Sequence, residues 1–179
     1  LNRMFLSLQN FEQRVFYWCN HRIRHTFLDQ LLPIITHLGG AVCTIAITLL
    51  LIVMTSGEWQ AAAIQSLIAL TLSHIPIAIL KKLFRRKRPY LAITDVNVCK
   101  NPLQDYSFPS GHTTAIFAVV TPFIYVAPFL LYVLVPIAGL VALSRIYLGL
   151  HYPSDCIVGF LIGTWTAVLT FSLYNSFLG

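Results

Sequence analysis

From Thr113 to Leu143 the chain runs for more than thirty residues without a charged side chain. At about 1.5 Å per residue this is far longer than one crossing of an apolar core about 30 Å thick requires, so the stretch must fold back on itself. The turn is expected at Ala127-Pro128, because proline disfavours helical backbone at the residue before it. Gly39 to Thr55, Ala61 to Leu80 and Ile157 to Leu173 are also uncharged and each is long enough to cross once. With only 10% charged and 57% hydrophobic residues, the composition excludes an ordinary soluble domain.

The expected fold is all-α: one integral-membrane domain over 1–179, with an amphipathic segment over 1–30 and a bundle of about five transmembrane helices over 33–177. In the N-terminal segment Phe5, Leu6, Leu8, Phe11, Val15, Phe16 and Trp18 recur near helical spacing among Arg3, Glu12 and Arg14. An interfacial helix fits, and so does a helix packed on the bundle. No signal peptide is expected, since the first thirty residues have scattered charges and no continuous apolar run. Cys19, Cys43, Cys99 and Cys156 stand at no metal-ligand or redox spacing and are assigned no chemistry. Gly159 and Gly163 form a small-xxx-small pattern that suits internal packing or contact between copies, so oligomeric state is not legible.

The span count decides where the polar residues meet. If the first span is about Pro33 to Thr55 and the second about Trp59 to Leu80, then Lys81 shares a face with the N-terminus. The third span leaves that face at Gly111-His112, the fourth returns at Ser144-Arg145, and the fifth departs after Pro153, a favourable first-turn residue. Three polar clusters therefore converge, and the opposite face keeps Glu58 as its only charged residue.

The first cluster is the basic run Lys81, Lys82, Arg85, Arg86, Lys87 and Arg88. By itself it reads as a solvated patch for anionic lipid heads. A helical Lys81 to Arg88 would put two cations about two turns apart, able to reach one phosphate, with Pro89 holding Arg88 extended. In the second cluster Ser110 is a natural N-cap, Gly111 permits close backbone approach, and the free amides of a helix start favour an anion. His112 beside a bound phosphate could protonate a departing oxygen. In the third, Arg145 at membrane level is costly without an anion or carboxylate. Asp155, four residues after His151, can hold one imidazole nitrogen and leave the other free as a nucleophile. Spacing alone leaves open which histidine attacks; Asp155 tilts the choice to His151.

In order and residue content, Lys81-x6-Arg88-Pro89, Pro109-Ser110-Gly111-His112 and Ser144-Arg145-x5-His151-x3-Asp155 resemble the three signature motifs of the type 2 phosphatidic acid phosphatase family. No motif position departs. Its superfamily includes vanadium haloperoxidases and bacterial acid phosphatases. The resemblance implies a phosphatase that uses no metal or other cofactor. His151 would attack phosphorus to form a phosphohistidine, Asp155 would fix its tautomer and stabilise the imidazolium, and His112 would protonate the leaving oxygen. Lys81, Arg88, Ser110, the Gly111 amide and Arg145 would hold the equatorial oxygens.

A site at the ends of membrane helices reaches a phosphate at head-group level, so the expected partner is a membrane lipid phosphate and not a nucleic acid. The short chain resembles bacterial members acting on undecaprenyl pyrophosphate or phosphatidylglycerol phosphate, and no residue separates these two. A lipid phosphotransferase is an alternative to which the motifs are blind. A non-enzymatic lipid-binding or transport protein is another, although it has no need of the His-Asp pair. Sidedness is in conflict: all twelve Lys and Arg fall on the catalytic face, which the positive-inside rule makes cytoplasmic, whereas the resemblance implies a site facing outward from the cell membrane. Among the remaining polar residues, His74 is expected to face the bundle and His37 to pack under the site. Asp105 and Tyr106 are assigned no role beyond the rim.

Overall fold

Proline, glycine and capping residues set the helix boundaries in the computed structural model, which describes residues 2–99 and 102–178, the side chains of 2–6 and 178 excepted. The chain is 81% helix, with no strand among the described residues. Helix α1 (Asn2–Tyr17) passes through a wide π-turn into α2 (Thr26–Ile35), followed by α3 (Ala41–Met54), α4 (Gly57–Phe84) and the short α5 (Pro89–Ala92). Beyond the long loop come α6 (Gly111–Val126), α7 (Leu131–Tyr147) and α8 (Pro153–Leu178). The uncharged stretch turns back where proline predicts, with extended Ala127 between α6 and the 3₁₀ turn Pro128–Leu130.

The N-terminal segment forms the expected amphipathic helix only as far as Tyr17, where α1 gives way to the π-turn Trp18–Arg22. Phe16 is fully buried and Cys19 nearly so, while Leu8, Phe11 and Trp18 are exposed. The side chains of Arg3, Phe5 and Leu6 lie outside the described residues. The first span is likewise not continuous from Pro33 to Thr55: it bends by 57° between Thr26–Gly39 and Ala41–Met54. The break falls where Gly40 turns extended (φ −74°, ψ 150°), beside a close approach in which a Cβ on Gly39 would lie 2.6 Å from the backbone oxygen of His112.

By length and apolarity α4, α7 with its leading turn, and α8 each qualify as crossings, and the bent α2–α3 pair qualifies as a fourth. The fifth apolar helix, α6, has 16 residues, or about 24 Å. It tolerates that shortness because the other helices enclose it: every residue from Thr113 to Phe123 is buried. Small residues allow this closeness. Ala69 of α4, Ala118 of α6 and Ala167 of α8 meet with no exposed surface, and Ser66 Oγ donates to the carbonyl of Val119 at 2.8 Å. A Cβ on Gly159 would lie 2.7 Å from the Ser110 carbonyl oxygen, and one on Gly163 would lie 2.4 Å from that of Thr114. The small-xxx-small pattern is thus spent on packing α8 against α6, which brings the second and third clusters together. Large side chains such as Val42, Val53 and Trp165 form the exposed apolar belt expected of a multi-pass membrane protein.

Candidate active site

The start of α8 builds the His-Asp pair. After α7 ends at Tyr147, the backbone N–H groups of Leu150 and His151 both donate to the Arg145 carbonyl at 3.1 Å, folding the turn back over the helix end. Pro153 then opens α8, so His151 and Asp155 pair across a helix start and not along one helix. The Asp155 carboxylate is fully buried and well partnered. Its Oδ2 accepts from Ser107 Oγ at 2.5 Å and from the Tyr152 N–H at 2.8 Å, with His151 Nδ1 at 3.5 Å. Its Oδ1 accepts from Arg86 Nη1 at 2.7 Å. Burial, only partly offset by the bond to Asp155 and reinforced by Arg145 and Arg88, brings His151 down to about 4, so its imidazole is neutral at neutral pH.

The first cluster reaches this pair without staying helical. Arg85 adopts a left-handed backbone (φ 44°) at the end of α4, and Arg88 is extended before Pro89 as expected. Arg88 is only 1% exposed. Its Nε donates to the Asp105 carbonyl at 2.8 Å and its Nη2 to Asp105 Oδ1 at 2.5 Å, while Nη1 reaches the Leu150 carbonyl at 2.8 Å and His151 Nε2 at 3.1 Å. Lys81 Nζ donates to the other oxygen of Asp105. Burial alone would raise the Asp105 carboxyl, but the hydrogen bonds from Lys81 and Arg88 prevail and hold it at about 2. The two cations thus converge on one anion, and that anion is a carboxylate of the chain.

The second cluster is a capped helix start. Ser110 Oγ accepts from the Thr113 N–H at 3.5 Å and from Thr113 Oγ1 at 3.0 Å, and the Ser110 N–H donates to the Asp155 carbonyl at 3.0 Å. A Cβ on Gly111 would meet nothing within 4 Å among the described residues, so there is room beside the start of α6. The His112 ring lies along the α2–α3 bend, its Nε2 3.7 Å from where a Gly40 Cβ would be. Arg145 is 3% exposed and donates through Nη1 to Thr36 Oγ1 at 2.8 Å; its Nε and Nη2 are buried and have no partner among the described residues.

A cavity of about 590 Å³ opens beside these groups, lined among others by Thr36, His37, Cys99, His112 and Arg145. His37 sits in its wall. His151 and Arg88 stand just behind it, joined through Leu150, whose carbonyl Arg88 holds. His74 does not face the bundle: it is exposed, and its Nδ1 lies 2.7 Å from its own helix's Leu70 carbonyl. Sequence reasoning missed Glu12, Ser107 and Thr36 as neighbours of the site, and it placed Asp105 only at the rim and Arg86 only in the basic run. A usable signal was scarcity: of six carboxylates in the chain, Glu12, Asp105 and Asp155 all pair with the first cluster's cations. The described residues contain no group of three or more His, Cys, Asp or Glu able to hold a metal.

A family model described as the PAP2 superfamily matches residues 62–177. An undecaprenyl-diphosphatase of Sulfolobus acidocaldarius is 28% identical over 152 residues, covering 83% of this chain and 72% of that protein. Phosphatidylglycerophosphatase B of Bacillus subtilis is 29% identical over 175 residues, covering 87% and 77%. The crystal structure of Aquifex aeolicus LpxE superposes with a TM-score of 0.80 at 26% identity, covering 89% of this chain and 94% of that one. The chain belongs to the PAP2 superfamily, and the class that its fold and relatives define is the membrane lipid phosphatase.

Proposed function

We propose that the chain hydrolyses a lipid phosphate or pyrophosphate through a phosphohistidine at His151. The observation that carries this reading is Arg145, a buried cation whose Nε and Nη2 find no partner among the described residues, on the cavity that His112 also lines. Such a charge is costly until an anion arrives, and a guanidinium fork suits a phosphoryl group. Lys81, Arg88, Ser110 and the Gly111 amide complete the cradle.

The phosphoryl group enters beside Arg145, and Arg88 transfers an N–H from His151 Nε2 to a phosphoryl oxygen. The freed lone pair of neutral Nε2 attacks phosphorus as the bond to the leaving oxygen breaks. His112, held protonated beside the bound anion, gives that oxygen its proton. Asp155 faces Nδ1 and stabilises the positive charge that the imidazole gains. Neutral His112 then takes a proton from water, whose oxygen attacks phosphorus; the N–P bond breaks, its electrons return to Nε2, and orthophosphate leaves.

A substrate with its tail in lipid fits a cavity at the ends of membrane helices. Undecaprenyl pyrophosphate and phosphatidylglycerol phosphate are the two proposed substrates, in keeping with the names of the relatives. The site is taken to face outward. An impermeant thiol reagent on intact cells should then label Cys99, which is half-buried in the cavity wall, and not the Cys99→Ser variant. Labelling only after permeabilisation would turn the site inward and exclude substrates released outside.

The test of activity is phosphate release in detergent with chelator present, from both lipids and phosphatidic acid, beside His151→Ala. Release lost in the variant is expected. Release that survives it, or that requires an acceptor lipid, would overturn the proposal, the latter in favour of a phosphotransferase.

A further inference from the structure

We propose that Arg86 and Glu12 are positioning residues for the reaction, a relay that ties the N-terminal helix α1 to the Asp155 carboxylate. This inference rests on His151 as nucleophile and Asp155 as its partner.

Arg86 belongs to the basic run, yet it is not a solvated charge like its exposed neighbours Lys82, Arg85 and Lys87. One Nη1 reaches Asp155 Oδ1 and Ser154 Oγ, both at 2.7 Å, while Nη2 reaches Glu12 Oε2 at 2.6 Å. Its guanidinium carbon stands 3.8 Å from the centroid of the Tyr152 ring, so the fork is also stacked. Glu12 closes the loop. Its Oε1 accepts from the Ser154 N–H at 3.1 Å and from Ser154 Oγ. The Ser154 N–H belongs to the first turn of α8, where helical amides have no partner within the helix and a carboxylate is stabilising. One acid on α1 therefore fixes both the start of α8 and the arginine that holds the acid of the pair.

The division of labour at Asp155 gives this relay a consequence for the chemistry. Oδ2 faces His151 and is also shared with Ser107 and Tyr152, whereas Oδ1 is given to Arg86. With no exposed surface, the carboxylate depends on that ion pair to remain charged and on its direction to keep Oδ2 towards Nδ1. Arg86 touches neither His151 nor the cavity lining, so its effect falls on the rate of the chemical step and not on substrate capture.

The experiment measures kcat and KM for Arg86→Ala, Arg86→Lys, Glu12→Gln and Lys87→Ala beside His151→Ala, with methylguanidinium added to Arg86→Ala. The expected kcat losses are about a hundredfold for Arg86→Ala and about tenfold for Glu12→Gln, with KM within about threefold, as for misplacement of a catalytic group. Methylguanidinium should restore about tenfold to Arg86→Ala, Arg86→Lys should fall between that variant and the native chain, and exposed Lys87→Ala should change nothing. An Arg86→Ala that matches the native kcat, an equal loss in Lys87→Ala, or a loss carried by KM would overturn the relay. If Arg86→Ala does not fold, Glu12→Gln decides, and native kcat there overturns it. Turnover surviving in His151→Ala marks failure of the underlying mechanism instead, because the relay predicts nothing about that variant.

Discussion

The two buried arginines of the site are opposites. Arg88 has nearly all its donors committed to the chain itself, to Asp105, Leu150 and His151, whereas Arg145 has one bond to Thr36 and two nitrogens left over. The difference comes from the elements that carry them. Arg88 sits in an extended segment whose carbonyl neighbours are within reach, while Arg145 projects from the last turn of α7, whose carbonyls are already taken by the N–H groups of the turn that follows. A buried guanidinium with several spare donors is a receptor for something that arrives; one with almost none spare is a brace. In the proposed mechanism this comparison gives Arg145 the capture of the phosphoryl group and Arg88 the holding of His151 until capture occurs.

Substitutions that pull the two apart should differ in size and kind. Arg145→Lys should lower kcat/KM about a thousandfold, about 4 kcal/mol, because a point charge cannot reproduce the fork in a buried oxyanion site. Arg88→Lys should act mainly through kcat, with KM within about threefold; equal KM effects in the two would erase the distinction. The brace also keeps a neutral imidazole beside two cations, so kcat/KM should fall as pH drops through about 4, where burial has brought His151 and where protonation removes its lone pair. An acid limb near the ordinary 6.5 would place the essential proton elsewhere. Asp105→Asn removes the carboxylate that occupies Lys81 and Arg88, and inorganic phosphate should then inhibit about three- to tenfold more strongly. The smallest effect belongs to Thr36→Val, which frees one more donor of Arg145 and should change KM by about threefold or less.

Local chemistry was legible before the fold was. Proline at 128 and 153, the Ser110 cap and the order of the three motifs each depend on a few adjacent residues, and each stands where expected. Pairing across long separations was not legible. Glu12 and Arg86 are 74 residues apart, and neither periodicity nor capping rules connect them. The Gly39-Gly40 pair was visible, but its meaning needed the His112 backbone against it. His74 shows the limit of reading a face from one helix. Ser73 is buried, yet the next residue is about 100° further around the helix and looks outward. The assumption that Lys81 and Arg88 converge along a helix failed because Arg85 ends that helix, and convergence came through Asp105 instead.

The most direct test of the account is to trap the phosphoryl group on the enzyme. Native protein mixed with a substrate labelled in the transferred phosphate, then quenched in alkali, should retain label that is stable to base and released by acid, with His151→Ala unlabelled and His112→Ala labelled longer. Label that persists in His151→Ala, or a native enzyme that turns over without ever carrying label, would contradict it.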